Sequence, residues 1–330
     1  MTNYINSRYA NLELIKNGKV LKNATLDIND KWSFDIKKDF GVALFCTIKV
    51  YGWSFNRMWD IKTNSVSFLN CGVLEGKINK GIYKIKINAG YTNNYSRGIT
   101  FSGTVWDSEI YYGDTPEDTY IEIKLLSCSD GLEERKSISF NYQNDKGTLF
   151  DCLKQIKETF KYNLIIGNKM QDFELTSFSC SGNIIDILSS LNSTFLGGSF
   201  VLYFYNQTIF VKDVINDCDF VYNKNKKVHT IMGTSGMIGT PCFDNLYLKL
   251  SNRLRSFEYG EKYPVISYFV PFLTPRKKDG SDIRIFSVYN IRYIGETRGN
   301  IWRTELEMVS QNTALTLNKL NSIIKINGTI

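Results

Sequence analysis

The sequence is poor in the residues that build most catalytic and metal sites. Among 330 residues there is one histidine, His229, which lies in a strand-like context. A lone histidine is a poor candidate for a metal site and is more often structural than catalytic. No Gly-x-Ser-x-Gly, Gly-Lys-Ser/Thr or His-Glu-x-x-His motif occurs. We therefore expect a protein that is not an enzyme and that has no cofactor and no metal.

Paired cysteines and long apolar runs are also missing. The seven cysteines are odd in number and widely spaced, with no C-x-x-C, so we expect reduced thiols in a chain that folds in a cytoplasm. The first residues hold no apolar signal core, and no run approaches the length of a membrane span. A soluble chain without a membrane partner is expected.

Charge excludes little by itself. The net charge of +7 is modest for this length and is no nucleic-acid signature. The only tight basic groups, at 224–227 and 276–278, sit among polar residues and indicate exposed loops. Aromatic residues are abundant, with 20 Tyr, 21 Phe and 5 Trp, which favours strands or interfaces over helical bundles.

Three weak chemical alternatives stay open. Carboxylate pairs such as Glu305 and Glu307 could act as a glycosidase pair, although a solvated strand face explains them better. Ser235 with its neighbouring glycines could form an anion nest, although a tight turn is simpler. Tyr91 and the pair Tyr111-Tyr112 could stack on bases or sugars, although strand aromatics usually fill a core.

The first third, from Asn11 to about Leu126, is predicted to be β throughout. Apolar and polar residues alternate over Tyr83–Ala89, and Asn17-Gly18 is a tight-turn pair. The run Val42–Val50 is more continuously apolar and predicts a strand buried on both faces. Strands at this spacing, separated by turn signals, favour a barrel or sandwich.

The period changes in the middle third. Apolar residues recur at helical spacing over Leu149–Phe160, after a Gly147-Thr148 start, and again over Ile184–Leu191. Short strands surround both helices, and Ser199–Tyr205 with Thr208–Val211 predicts a hairpin. This third is therefore expected to hold two small α/β units.

The last third returns to strands. Met232–Pro241 places glycines and a proline before a predicted strand, and Glu296–Asn300 predicts the loop of a hairpin. The fold class is thus α+β and multidomain, with two tube-like antiparallel β-barrels flanking two small α/β domains. The expected units are 1–129 (barrel), 130–170 and 171–215 (α/β), 216–320 (barrel) and 321–330 (tail).

Four groups of motifs occur in order and carry a family resemblance. They are Ile87–Tyr91 with Ile99–Val105 and Asp118–Ile123; the helix Leu149–Phe160 after Phe140-Asn-Tyr; Thr234–Pro241 with Asn252–Arg255; and Ile294–Glu305. In this order they resemble the central baseplate hub protein of tailed bacteriophages, a family with relatives in contractile injection machines. The chain departs from the pattern at Tyr293, where relatives often have a histidine, at Glu296, where an Asp is common, and near Asn252-Arg253, where a proline is missing.

The resemblance implies a structural virion protein at the tail tip or baseplate, assembled in the host bacterial cytoplasm. It implies a homotrimer in which two barrels per subunit give a pseudo-sixfold face. That hub would join the sixfold tail tube to the threefold central spike and enclose the DNA channel, through which DNA passes only in transit. Further expected partners are the tape measure protein and the baseplate wedge proteins.

Contacts are expected on the strand Gly103–Ile110, on the loops Ser235–Pro241 and Glu296–Asn300, and on the middle helices as a cup for the spike. The candidate interface residues are Gly103, Val105, Ser235, Gly236, Gly239, Pro241, Arg298 and Trp302. Two other functions compete: a tail-associated cell-wall hydrolase, which clearing of peptidoglycan would reveal, and a carbohydrate-binding tail module for the host surface, which binding to host cells would reveal.

Overall fold

A computed structural model describes the chain apart from its termini and several internal stretches. The described residues are 8–38, 45–71, 81–92, 98–127, 138–141, 147–167, 174–175, 178–182, 186–188, 190–191, 200–205, 208–213, 230–244, 247–258, 260–277 and 283–310. His229, Cys128, Cys218, the basic group at 224–227 and the predicted tail lie outside these ranges.

Strands dominate the described part of the chain. Three of its helices are α1 (Phe55–Thr63), α2 (Val66–Leu69) and α3 (Leu149–Phe160). Its strands are β1 (Arg8–Lys16), β2 (Lys19–Val20), β3 (Leu26–Asp27), β4 (Trp32–Lys38), β5 (Phe45–Tyr51), β6 (Tyr83–Tyr91), β7 (Ile99–Tyr111), β8 (Tyr120–Leu126), β9 (Ile138–Asn141), β10 (Gly147–Thr148), β11 (Asn163–Ile166), β12 (Glu174–Leu175), β13 (Ser179–Gly182), β14 (Phe200–Tyr205), β15 (Thr208–Asp213), β16 (Met237–Asp244), β17 (Tyr247–Arg253), β18 (Lys262–Val265), β19 (Arg284–Glu296) and β20 (Trp302–Ser310).

The first and last thirds join in a single sheet of 13 strands. Its order is β16-β17-β20-β19-β4-β5-β8-β7-β6-β1-β2, with β18 beside β19 and β3 beside β1. The order is an open path, since no pairing among the described residues joins β16 to β2. The two predicted barrels are therefore not confirmed, whereas the β character of both thirds is.

The two thirds repeat one strand order. Strands β4–β8, here the N-module, follow the spatial order β4-β5-β8-β7-β6, and strands β16–β20, here the C-module, follow β16-β17-β20-β19-β18. Each module contains one 13-residue strand, β7 or β19. The register shifts at matching points, between Val105 and Asp107 and between Val288 and Asn290. A bulge bends the strand there, so one half pairs with β6 or β18 and the other half lies beyond it.

One hydrophobic core serves both modules. Residues that are fully buried in the N-module, such as Ile48 and Ile123, belong to the same buried cluster as Leu248 and Met308 of the C-module. Alternation along each strand explains this, because a strand with one buried face turns every second side chain inwards.

The middle third has its own core. The capping box of α3 forms between Thr148 and Asp151, as the Gly147-Thr148 start predicted. Leu153 and Ile156 of this helix pack in one cluster with Leu188 and Ile209. Parallel pairing of β11 with β15 brings strands of the two predicted α/β units into one three-stranded sheet. The domain boundaries given above stay predictions.

Three local predictions are wrong. Helices α1 and α2 interrupt the first third, where only strands were expected; Met58 and Ile61 of α1 are buried in the large core. The described part of the Val42–Val50 run buries one face of β5, and Phe45 is 53% exposed. Pro241 lies inside β16, because an edge strand with a bulge tolerates a residue without an N–H.

The predicted second helix is partly described. Residues 186–188 and 190–191 are helical, while Ile184 and Ile185 lie outside the described ranges. None of the helices in the ranges given above is long and apolar enough to cross a bilayer.

Candidate assembly interfaces

The N-module and C-module meet along a seam between β4 and β19. The strands pair antiparallel over six residues on each side, from Ile291 opposite Lys38 to Glu296 opposite Ser33. Arg292 donates two hydrogen bonds across the seam to the carboxylate of Asp35, at 2.8 and 2.6 Å, and a third to Glu305 at 3.3 Å. This bidentate geometry is the strongest arrangement of a guanidinium and a carboxylate, and Asp35 raises the pKa of Arg292.

The loop after β19 fixes one end of the seam. The backbone N–H of Thr297 donates to the carbonyl of Trp32 at 3.0 Å, and the backbone N–H of Trp32 donates to the Thr297 hydroxyl at 3.0 Å. Arg298 donates to the carbonyl of Asn29, and Arg8 donates to the carbonyl of Gly299 at 3.0 Å. The predicted contact loop Glu296–Asn300 therefore binds the N-terminal third of its own chain.

Aromatic side chains fill the seam beneath this loop. Trp302 is 3% exposed and meets Phe34 edge-on with ring centres 5.6 Å apart. Gly295 passes between the two rings: a Cβ there would lie 2.4 Å from Phe34 and 2.8 Å from Trp302. The close approach requires glycine, since such distances are far below van der Waals contact.

The exposed face of the shared sheet carries an ion-pair ladder, defined by the following pairs. They are Lys249–Asp244 (2.6 Å), Lys249–Glu307 (3.4 Å), Arg303–Glu305 (2.7 Å), Arg292–Glu305 (3.3 Å), Arg292–Asp35 (2.6 Å), Lys49–Glu122 (3.5 Å) and Lys124–Asp107 (3.5 Å). All but Arg303–Glu305 link neighbouring strands, and the registers place these side chains on one face. Exposed pairs of this kind contribute little stability, but they make the face polar and nearly balanced in charge.

Strand β16 forms one open edge of the sheet and is mostly exposed. Ile238 pairs with Ser251 and Cys242 with Lys249, so residues 239–241 bulge opposite Leu250 alone. A shallow groove of about 430 Å³ lies beside the bulge, lined by β16, β17, β19 and β20. The groove opens on the same face as the ion-pair ladder, because Lys249, Arg292 and Glu307 line both.

Exposed aromatic residues gather at two places. The first group flanks the end of β7: Phe55 and Trp59 of α1 stack at 6.0 Å, and Tyr112 lies 6.3 Å from Phe55. The second group flanks β16: Phe243 and Phe272 meet edge-on at 5.6 Å. All five of these aromatic side chains are between 46% and 71% exposed, which is typical of surfaces that a partner covers.

The structure places the eight candidate interface residues in different environments. The side chains of Val105 and Trp302 are buried in the core, and Gly103 is packed against Leu125 and Phe101. Ser235 hydrogen-bonds within the turn before β16, where its hydroxyl accepts from the N–H of Met232 at 2.8 Å. Within the described part of the chain these four residues make intrachain contacts, and their role in assembly stays a prediction.

The other candidates differ from these. Gly236 is buried and adopts φ 111° at the start of β16, and Pro241 is buried in the bulge. Gly239 is exposed on β16 with a φ of 68°. Arg298 is exposed but is engaged across the seam. Sequence reasoning missed Phe243 and Arg292, since alternation shows which face a residue occupies but not which strand lies beside it.

No group of His, Cys, Asp and Glu within the described ranges could hold a metal ion. A polar cluster does lie at the start of β6, where Lys16 donates to Asp60 at 2.9 Å and the Tyr83 hydroxyl donates to the same carboxylate. The hydrogen bond to Asp60 raises the pKa of Lys16. Because the cluster joins α1 to β1 and β6, it is explained by structure alone.

Comparison with known proteins gives a consistent result. A family model described as baseplate hub gp41 matches residues 15–251. The 43 kDa tail protein of prophage MuSo2 from Shewanella oneidensis superposes with a TM-score of 0.51 at 10% identity, over 92% of this chain and 99% of that one. A tail protein from Neisseria meningitidis MC58 gives 0.52 at 9% identity, with the same shares covered.

A third structure is larger than this chain. In the half-lidded PdpA–VgrG complex from Francisella, the matched chain gives a TM-score of 0.50 at 10% identity, over 93% of this chain and 58% of that one. At such identities the likeness is one of fold. No curated protein matches the sequence.

Proposed function

The chain belongs to the baseplate hub gp41 family, and from this premise we propose that it forms a homotrimeric hub in the virion. It is a structural protein of the phage tail. In the proposed hub, one face binds the sixfold tail tube, the opposite side binds the threefold central spike, and the ring encloses the channel through which DNA leaves. Tape measure and wedge proteins are further proposed partners.

The repeated strand order of the N-module and C-module carries this proposal. Three copies of a chain with two like modules present six similar units around one axis. A ring of this kind can stack on a sixfold tube, although each chain is asymmetric. A monomeric function would give no reason for two modules with matching strand order and matching bulges.

The ion-pair ladder supports a channel lining. If the exposed face of the shared sheet faces the axis, cations such as Lys49 and Lys249 meet the passing DNA together with their anionic partners Glu122 and Glu307. Affinity for DNA phosphates comes from Lys and Arg side chains that displace the counterions condensed on the DNA. Paired charges of both signs therefore suit passage rather than binding, which agrees with the modest net charge of +7.

The middle third is the proposed seat of the spike. It builds a second core, around α3 and the sheet of β11, β14 and β15, to which Leu126 of β8 also contributes. A unit that occurs once per chain keeps threefold symmetry in a trimer, as a threefold spike requires.

Mass in solution tests the proposal. The purified chain of 37.9 kDa should give three times this mass in light-scattering chromatography when it is alone, and three chains plus the mass of the spike when the spike protein is bound. A monomer or a hexamer under both conditions would refute the trimer. Clearing of peptidoglycan or binding to host cells by the isolated protein would instead support the hydrolase or the carbohydrate-binding alternative.

A further inference from the structure

The seam occupies an edge in the C-module that has an open counterpart in the N-module. The second half of β19, Ile291–Glu296, pairs with β20 on one side and with β4 on the other. The matching half of β7, Asp107–Tyr111, pairs with β8 on one side. On its other side, the described strands reach β7 only up to Thr104, through β6.

The strand that should fill this edge also has a counterpart. In the repeated strand order, β4 of the N-module corresponds to β16 of the C-module. Strand β4 pairs with β5 and also with β19, whereas β16 pairs with β17 alone among the described strands. Each chain thus carries one open edge of each kind, at opposite ends of the path that runs from β16 to β7.

We infer that residues 242–244 of β16 in one copy pair antiparallel with residues 109–111 of β7 in the next copy, in the way that β4 pairs with β19 within the chain. The inference rests on the proposed trimer, for which it identifies the contact between subunits. Strand addition of this kind satisfies the backbone groups of two open edges at once. The contact is head-to-tail, so it closes into a ring when the rotation per copy allows.

The seam fixes the expected register. Matching the bulges aligns Asn290 with Asp107 and therefore Tyr293 with Ile110. Matching β17 with β5 aligns Phe243 with Ile36, which stands opposite Tyr293 in the seam. The junction between copies should therefore set Ile110 opposite Phe243.

One step further along, Tyr111 should stand opposite Cys242. Both side chains would then lie on the face of the ion-pair ladder, because Cys242 is opposite Lys249 and Tyr111 is opposite Tyr120.

Exposed apolar side chains at both edges support the pairing. Tyr111 is 39% exposed and Phe243 is 46% exposed, although each lies in a strand of the sheet. Helices α1 and α2 flank the β7 edge, where Ser67 donates to Asp107 at 2.7 Å. Exposed aromatic side chains of α1 lie beside the β7 edge, and Phe272 lies beside the β16 edge. Assembly of the trimer would therefore bury aromatic surface on both subunits.

A cross-link tests the register directly. Tyr111→Cys introduces a thiol that should oxidise with the native Cys242 of a second copy, because opposite residues in antiparallel strands bring Cα atoms to about 4.5 to 5.5 Å. Under mild oxidation by oxidised glutathione, we expect covalent dimers and trimers on a non-reducing gel. Mass spectrometry should map the bond to residues 111 and 242.

Two controls exclude other pairings. Tyr111→Cys combined with Cys242→Ser should lose the ladder of cross-linked species. Lys86→Cys, on β6 and away from both edges, should give none in excess of the wild type. The inference is overturned if Lys86→Cys cross-links as well as Tyr111→Cys, or if the 111–242 bond forms within one chain.

A charged substitution tests the inferred junction without cross-linking. Phe243→Lys should convert the trimer to monomer while the circular dichroism spectrum stays that of the wild type. Phe45→Lys is the matched control, since Phe45 is 53% exposed on β5 and lies at neither open edge; it should leave the trimer intact. A Phe243→Lys variant that stays trimeric contradicts the inferred junction.

The outcomes separate the two proposals. A wild-type chain that is not trimeric refutes the proposed function. A trimeric chain that fails the cross-link and tolerates Phe243→Lys refutes only the strand pairing, and the hub proposal then stands with a different contact.

Discussion

Gly295→Ala should weaken the seam between the modules. The new Cβ would lie 2.4 and 2.5 Å from two ring carbons of Phe34 and 2.8 Å from Trp302. Both rings are at most 3% exposed, so neither can swing away without disturbing the core. The backbone of Gly295 has no positive φ, and the effect therefore measures packing rather than conformational strain.

The expected loss follows from these distances. Adding a methyl group to a tightly packed core costs about 1–3 kcal/mol, and the lower entropy of unfolded alanine offsets about 0.4–1 kcal/mol of this. A net destabilisation of about 1–2 kcal/mol should lower the melting temperature by about 1.5–3 °C, because the unfolding entropy is large for a chain of 330 residues. Thermal and urea unfolding, followed by circular dichroism, measure the change.

A control and a second background make the result decisive. Gly233→Ala has no atom within 4 Å of its new Cβ and should therefore stabilise the chain by about 0.4–1 kcal/mol, through the lower entropy of the unfolded state alone. In a Phe34→Leu background the Phe34 ring is gone but the contact with Trp302 at 2.8 Å remains, so Gly295→Ala should cost clearly less than in the wild type; contacting residues show such coupling. Equal costs in both backgrounds, or equal stability of the Gly295 and Gly233 variants, would refute the packing argument.

Two further predictions concern titration and thiol access. Burial alone would raise the pKa of Asp60, but hydrogen bonds from Lys16 and Tyr83 outweigh it and hold the pKa below its ordinary 3.8. The stability from Asp60 is therefore complete above pH 3.8 and is lost as the pH falls through the lowered value; Asp60→Asn should flatten this acid loss in urea unfolding measured across pH. Burial raises the pKa of Cys152 to about 12, so a disulfide reagent should label the exposed Cys242 in the native chain and Cys152 only after denaturation; labelling of both at equal rates would contradict this burial.

Local patterns allowed much of the fold to be predicted. Strand β6 was predicted because Tyr83 to Ala89 alternate with polar residues, and one buried face imposes that period. Helix α3 was predicted because its apolar residues recur at helical spacing after the capping residue Thr148. Helix α1 was missed because its buried residues, Met58 and Ile61, are few and its aromatic residues suggested strands. Its signal was Ser54, a residue type that favours the position before a helix.

Pairing between distant strands could not be predicted in the same way. Asp35 and Arg292 are separated by 257 positions, and each sits in a strand whose alternation shows only which face it occupies. The resemblance did point to Arg298 and Trp302, but it suggested a contact with a partner. The structure places both against the N-terminal third of the same chain, since Trp302 packs on Phe34 and Arg298 binds Asn29.

The duplication did leave a sequence signal at the bulges. Thr104-Val-Trp-Asp107 and Ser287-Val-Tyr-Asn290 share a hydroxyl residue, a valine, an aromatic residue and an Asp or Asn. In both modules the valine is fully buried and the register shifts at the aromatic residue. The bulge bends each long strand, so that the part before it pairs with β6 or β18 and the part after it can pair with a different strand, as β19 does with β4.

Differences between the N-module and the C-module then explain why the junction of β4 with β19 forms within one chain. Strand β4 is regular, with Trp32, Phe34 and Ile36 all buried, and it pairs within the chain. Strand β16 instead carries Gly239 and Pro241 in a wide bulge, and both features discourage pairing with arbitrary strands. Beyond the bulge, the residues Cys242–Asp244 form the longer regular stretch of this open edge. A free copy would thus be protected from indiscriminate association, while a partner edge with the right flanking surface could still pair with these three residues.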